Sequence, residues 1–281
     1  MRANTPAAWH HATCHLELMS GDSFFRQLDG DLYEAAPWTR GPWSPKHQHA
    51  GPPSALVAGR LEAMLDKAFR VVRVAVEVTR PVPIGTLRLE RSIRRDGRNV
   101  KAMLGRLYDE DGALVMSADA LAIREVEVEV DVQPPRMDEA RPSDSTAIAF
   151  PFFDKEPSYA AAMELLFGRG EFGSGDVMGW MRMRIPLLNG VDPSPLERVM
   201  IAADSGNGIS QCLPVRDYTF LNPDLTVTLQ RPAEGDWVGM AARTDLDGRG
   251  VGVADTRLYD ERGPIGRGIQ TLIVRSRTAP A

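Results

Sequence analysis

The chain has 281 residues, enough for two ordinary domains or one large one, each with a real core. It is 43% hydrophobic and 25% charged, which excludes a largely disordered chain. A net charge of -5 argues against a general nucleic-acid binder, and no apolar run approaches the roughly 20 residues that a membrane-spanning helix needs.

Two cysteines, Cys14 and Cys212, make no disulfide framework, so a reduced, cytoplasmic setting is expected. Residues 1–21 read as a lead-in. His10, His11, Cys14 and His15 cluster there, but no second group of ligands completes a zinc pattern, so no metal is expected. Trp9-His10-His11 also stands where a signal peptide would have its apolar run.

A short strand is expected around Asp31-Leu32-Tyr33-Glu34, followed by a loop rich in Pro and Gly from Trp38 to Pro45. His47-Gln48-His49-Ala50-Gly51-Pro52-Pro53 then leads into a helix predicted over Ser54–Phe69. Its first two turns are apolar nearly all round, so it should be buried. Prolines at or just before the first turn remove no needed N–H. Strands are predicted over Val71–Thr79, Thr86–Arg94, Val100–Tyr108 and Leu114–Ile123, with hairpin signals at Asp96-Gly97 and Asp111-Gly112. Such local pairing implies a mostly antiparallel sheet. Arg124 to Asp131 alternates charge with valine, as an edge strand or strand extension would. Gln133 to Asp144 reads as a linker.

In the second half, Gly179–Ile185 alternates as a strand does. Pro193–Ala203 has helix-start prolines and an apolar face, and should end near Ser205-Gly206-Asn207-Gly208. Strands follow at Leu225–Gln230, Trp237–Thr244, Val251–Tyr259 and Gly268–Arg275.

The two halves match each other. Arg80-Pro81 corresponds to Arg231-Pro232, Asp96-Gly97-Arg98 to Asp247-Gly248-Arg249, and Arg106-Leu107-Tyr108-Asp109-Glu110 to Arg257-Leu258-Tyr259-Asp260-Glu261. Every pair lies 151 residues apart. One gap-free offset over several matches indicates a duplicated unit, a helix followed by a four-stranded antiparallel run. The boundaries expected are 22–130 for the first repeat, 131–147 for the linker and 148–281 for the second repeat.

Four stretches carry a family resemblance. They are Trp43-Ser44-Pro45 with His49 to Leu56, Ala203 to Gly208, Phe220 to Val227, and Gly268 to Leu272. Together they resemble acyl-CoA thioesterases of the thioesterase II type and their thioesterase-like relatives. The resemblance covers roughly residues 22–276. It implies an α+β double hotdog, two repeats each with an antiparallel sheet wrapped around a central helix. It also implies an acyl-CoA substrate, no cofactor, no nucleic-acid or membrane partner, and a possible homodimer of double hotdogs.

The resemblance further implies an Asp, a Thr and a Gln from the second repeat that hold and activate water. Carried onto this sequence they are Asp224, Thr244 and Gln270. The chemistry suits these types, because a carboxylate can take the proton of an attacking water while hydroxyl and amide groups fix its direction. Oxyanion and substrate contacts are expected at His49, Ala50 and Gly51, where the central helix begins and backbone N–H groups gather. Asp224 after Asn222-Pro223 also fits a turn, and Asp204 is a rival acid at a helix end. Arg91, Arg94, Arg95 and Arg98 form either a solvated hairpin tip or a contact for coenzyme A phosphates. Met103, Leu56 or Trp180 could line an acyl slot. Two other functions remain open: an acyl or aromatic ligand binder without catalysis, and a hotdog hydratase or dehydratase. The Asp and His motif of a hydratase is not evident. No Gly-x-Ser-x-Gly elbow points to a serine hydrolase.

Overall fold

The structure, a computed structural model, describes residues 21–131, 135–151, 153 and 157–277. The His10, His11, Cys14 and His15 cluster lies outside them. In the first half, β1 (Phe25–Gln27) and β2 (Leu32–Ala35) precede helix α1 (Gly51–Glu62). Four strands follow: β3 (Phe69–Val78), β4 (Thr86–Asp96), β5 (Val100–Tyr108) and β6 (Leu114–Arg124). The second half holds β7 (Thr146–Ala147), α2 (Tyr159–Ala162), β8 (Met163–Arg169), β9 (Asp176–Met183), α3 (Pro195–Ala203) and α4 (Gly206–Ile209). It ends with β10 (Tyr218–Leu221), β11 (Asp224–Leu229), β12 (Val238–Leu246), β13 (Val251–Asp260) and β14 (Gly263–Ser276).

These strands form one antiparallel sheet in the order β1-β2-β4-β5-β6-β3-β11-β14-β13-β12-β9-β8-β7, with β10 added on β14. The two halves meet at the middle, where β3 pairs with β11. Val74 lies opposite Val227 and Val76 opposite Leu225, and all four are buried. The seam between the repeats is therefore both a backbone ladder and part of the core.

Helix α1 lies within that core, with Ala55, Leu56, Val57, Ala58 and Leu61 all fully buried. It packs on the strands of its own half and on α3. The start of α1 meets the end of α3: a Cβ on Gly51 would stand 2.6 Å from the Ile201 carbonyl. At the other end Arg60 bonds to Glu197, and Ser194 donates to Glu62 at 2.6 Å. The helices therefore run antiparallel. Helix α3 is well started, since Ser194 and Glu197 form a reciprocal capping box.

The differences from expectation are local. Helix α1 begins three residues earlier than predicted, because Pro52 and Pro53 fit its first turn, and it ends earlier, at Glu62. Among the described residues no ladder forms beyond Arg124, which already pairs with Phe69 at the start of β3, and Val126, Val128 and Val130 are exposed. The 135–147 stretch is packed rather than free. Trp180 donates its indole N–H to the Ala140 carbonyl at 2.8 Å, Asp138 binds Arg257, and Arg141 donates to the Glu261 carbonyl. Trp180 consequently belongs to a small cluster with Leu166, Met178 and Tyr259 apart from the main core.

The repeated Arg-Pro and Asp-Glu signatures meet at one corner. Asp260 is fully buried, pairs with Arg231, and accepts the backbone N–H groups of Glu234, Arg262 and Gly263 at 2.8, 2.9 and 3.2 Å. In the first repeat the matching Asp109 only closes its own turn, accepting from the Ala113 N–H at 2.8 Å. Burial pushes the Asp260 carboxyl up, but Arg231 and the backbone donors outweigh it, so the net shift is down. A depressed carboxylate stabilises the fold above its unfolded titration range, and that contribution is lost as pH falls through the folded value. Asp260→Asn should cost about 3 kcal/mol at pH 7 by strand-ed Arg231 alone. In urea titrations the gap between variant and parent should narrow on acidification. A gap that widens with acid would contradict this reading.

Candidate active site

The end of α3 gathers polar groups from both repeats. Asp204 caps α3 with its side chain only 2% exposed. The chain turns at Ser205 and re-enters the short helix α4. Gly206 permits this approach, since a Cβ there would meet the Thr256 hydroxyl at 2.5 Å and the Gln270 amide oxygen at 3.0 Å.

Each Asp204 oxygen has a partner. Asn222, in the corner between β10 and β11, donates its amide to Oδ1 at 2.8 Å. Oδ2 lies 3.0 Å from His49 Nδ1, and the His49 side chain is 16% exposed. His49 immediately precedes α1 and is fixed on three sides. Its backbone N–H donates to the Thr39 carbonyl at 2.8 Å. Its ring stacks on Tyr159 with centroids 3.9 Å apart and planes 6° from parallel. The Gly51 N–H donates to Nδ1 at 3.1 Å. Tyr159 is anchored in turn, its hydroxyl 2.8 Å from both the Ile201 carbonyl and the Ser205 hydroxyl. Burial drives the Tyr159 phenol far above its ordinary range, with the Ser205 bond opposing and the Asp204 charge adding to the rise, so it stays neutral.

Gln270 sits inside this corner and is buried. Its amide donates to the Asp204 carbonyl at 3.1 Å, and its oxygen accepts the Asn207 N–H at 3.0 Å. It clamps the end of α3 to the start of α4. Thr244 faces the same interior from β12, where its hydroxyl is 2.7 Å from that of Ser210, which itself donates to the Gly206 carbonyl. Thr244 and Gln270 both lie opposite Ala254, on either side of β13. They therefore brace α4 from neighbouring rungs.

Asp224 does not join them. On β11 the buried positions are Leu225, Val227 and Leu229, so Asp224 stands on the opposite face. Its carboxylate accepts the backbone N–H of Thr271 at 2.8 Å and the Thr271 hydroxyl. The expected grouping of Asp224, Thr244 and Gln270 is thus split: Gln270 points inward to Asp204, while Thr271, the next residue, points outward to Asp224. The signal was in the sequence, since the alternation of Leu225, Val227 and Leu229 fixes the parity of Asp224. Asn222 and Tyr159 were missed because nothing local marks them.

Of the helix-entry residues, His49 contacts Asp204, Gly51 stands against α3, and the Ala50 carbonyl accepts from the Ser54 N–H and hydroxyl. The arginines of the β4–β5 hairpin lie elsewhere. Arg91 donates to the Arg60 carbonyl at the far end of α1 and binds Asp31, and Arg94 binds Asp119. Met103 and Leu56 are fully buried in the core. Among the described residues no group of three His, Cys, Asp or Glu side chains is arranged to hold a metal. No helix among them is long and apolar enough to cross a membrane.

This architecture is similar to solved hotdog structures. A protein of unknown function with a hotdog fold from Alicyclobacillus acidocaldarius superposes with a TM-score of 0.70 at 14% identity, over 91% of this chain and 96% of that one. A candidate thioesterase II from Thermobifida fusca gives 0.68 at 15% identity, over 91% and 96%. An acyl-CoA thioesterase II from Mycobacterium marinum gives 0.63 at 14%, over 90% and 96%. The class is therefore a hotdog-fold protein with one large antiparallel sheet and few helices. In sequence, the profile of the acyl-CoA thioesterase N-terminal domain matches residues 39–124, and that of the C-terminal domain matches residues 133–274. The chain belongs to the acyl-CoA thioesterase family, whose reaction is thioester hydrolysis. No curated protein matches it significantly.

The clamp is testable by stability. Gln270→Leu leaves the Asn207 N–H and the Asp204 carbonyl without their partner, and should lower the unfolding free energy by about 2 kcal/mol. Asp224→Asn, on the outer face, should change it by no more than about 0.5 kcal/mol. Equal losses in denaturant titrations would remove the distinction between the two sites.

Proposed function

We propose that the two halves are the repeats of a double hotdog, and that acyl-CoA is hydrolysed where the start of α1 meets the end of α3. The observation carrying this reading is the buried Asp204 carboxylate, 3.0 Å from His49 of the first half and hydrogen-bonded to Asn222 of the second. Its negative charge is what makes the proton of a nearby water removable. Asn222 and His49 hold the carboxylate in one orientation, while Gln270 and Thr244 hold the backbone that carries it.

The water's oxygen attacks the thioester carbonyl, and negative charge develops on the acyl oxygen. Gly51 is the donor best suited to it. Pro52 and Pro53 have no N–H, and the Ser54 N–H is spent on the Ala50 carbonyl, so Gly51 carries the one N–H of the first turn not given to a backbone carbonyl; it donates to His49 Nδ1 at 3.1 Å, and an acyl oxygen would take that place. It also lies at the positive end of α1. Collapse of the intermediate releases the free acid and coenzyme A. Thiolate is a good leaving group, so a strong general acid is not required.

Asp204→Asn should lower kcat on acyl-CoA at least about a hundredfold, as loss of a positioned base does. Asp224→Asn should leave kcat within about threefold, because its carboxylate touches nothing in the centre. Thiol release followed over short, medium, long and aromatic acyl-CoAs reads both variants. Full loss in the Asp224 variant with an active Asp204 variant would reverse the assignment.

A further inference from the structure

Two stretches of chain reach Asp204, and the same two meet again at the surface. The first is the loop that ends at His49, 3.0 Å from Asp204 Oδ2. The second is β10, which runs into Asn222, whose amide donates to Oδ1 at 2.8 Å. Trp43 stands in that loop and Phe220 in that strand, and their rings meet edge to face with centroids 5.4 Å apart and planes at 88°. Asn222 precedes Pro223, a position that favours extended backbone. Phe220, two positions back along such a run, lies on the same side about 7 Å away. The two segments therefore make a continuous track from the buried acid to an aromatic pair outside it.

Trp43 is presented there by a stiff loop. The Gly41 N–H donates to the His47 carbonyl at 3.0 Å, and the Lys46 N–H to the Ser44 hydroxyl at 3.2 Å. A Cβ on Gly41 would stand 2.9 Å from the His49 nitrogen, so the loop closes on itself beside the site. Pro42 and Pro45 flank the Trp43-Ser44 tip and fix its backbone further. Even so, Trp43 remains 38% exposed. The Arg277 guanidinium lies 5.6 Å from the centre of the Trp43 ring. Arg277 is fixed beside β10, its backbone N–H donating to the Asp217 carbonyl at 2.8 Å and its Nε to the Tyr218 carbonyl at 3.4 Å. Among the described residues no carboxylate pairs with it.

An exposed indole beside an arginine without an acidic partner suits a flat ring that carries negative charge. An acyl chain has no use for the charge, and a bare anion has no use for the indole. The family's substrate, an acyl-CoA, carries both features on one group, the adenine nucleotide at the opposite end of the coenzyme from its sulfur. We propose that Trp43 and Arg277 form the nucleotide subsite for coenzyme A, with the adenine stacked on the open part of the indole and a phosphate taken by the guanidinium. The pantetheine arm then follows the track between the Trp43 loop and β10 inward to Asp204. This rests on hydrolysis taking place beside Asp204 and names the residues that recognise the leaving coenzyme.

The test measures kcat/KM for one acyl group carried on coenzyme A and on pantetheine, which lacks the nucleotide. The readout is the ratio of the two. Trp43→Ala and Arg277→Gln should each lower that ratio about tenfold, as expected for loss of a base stack or of a phosphate contact, with the change in KM rather than kcat. Trp43→Phe, which keeps an aromatic face, should restore most of it. An unchanged ratio in both variants overturns the proposal, whether both thioesters keep their parent values or both weaken alike, since the latter marks Trp43 and Arg277 as supports of the fold alone. Asp204→Asn should lower kcat on both thioesters equally and leave the ratio untouched. Should that variant stay active, the acid assignment fails on its own, while a lowered ratio in the Trp43 and Arg277 variants still upholds the nucleotide subsite. Thermal unfolding confirms that each variant is folded.

Discussion

Asp204 is a carboxylate buried at the C-terminal end of α3, where the helix dipole is already negative and a second negative charge is unfavourable. Burial without partners would add several kcal/mol to that cost. What offsets it comes largely from outside α3: the Asn222 amide and the positive end of α1. The antiparallel packing of α1 on α3 brings that positive end to the right place, and Gly51 permits it, because any side chain there would strike the Ile201 carbonyl. The surroundings of Asp204 therefore draw on both halves of the chain.

The join is the β3–β11 ladder, and it explains the division of labour between the copies. The first repeat supplies the helix N-terminus and His49. The second supplies the acid, the clamp and the corner that carries Asn222. The corresponding end of the helix pair, where α1 finishes and α3 starts, is closed instead by Arg60, Glu62, Ser194 and Glu197. Burial raises the Glu62 carboxyl there, with the Ser194 hydroxyl opposing and Glu197 adding to the rise. One end of the helix pair gathers the buried acid, and the other is a structural lock.

Much of the scaffold was legible in the sequence. Hairpin glycines and alternating strands located most of the large antiparallel sheet, and the apolar first turns of α1 foretold its burial. The site was harder. Asp224 attracted attention as an acid at a strand head, but its neighbours Leu225, Val227 and Leu229 already assign it to the outer face. The offset also misleads by one residue in the last strand: Met103 lies opposite Ala120, whereas Ala254 lies opposite Gln270. Gln270 therefore occupies the place of the inward Ala120, not of the outward Asp119. The pairing of His49 with Asp204 joins residues from different repeats, and no local pattern encodes such a contact.

The central claim is that hydrolysis depends on the buried Asp204 carboxylate and not on the outward-facing Asp224. Steady-state thiol release from one acyl-CoA by the parent, Asp204→Asn and Asp224→Asn reads this directly. The account predicts a kcat at least about a hundredfold below the parent in the Asp204 variant and close to the parent in the Asp224 variant. Loss of turnover in the Asp224 variant with parent-like turnover in the Asp204 variant would contradict it.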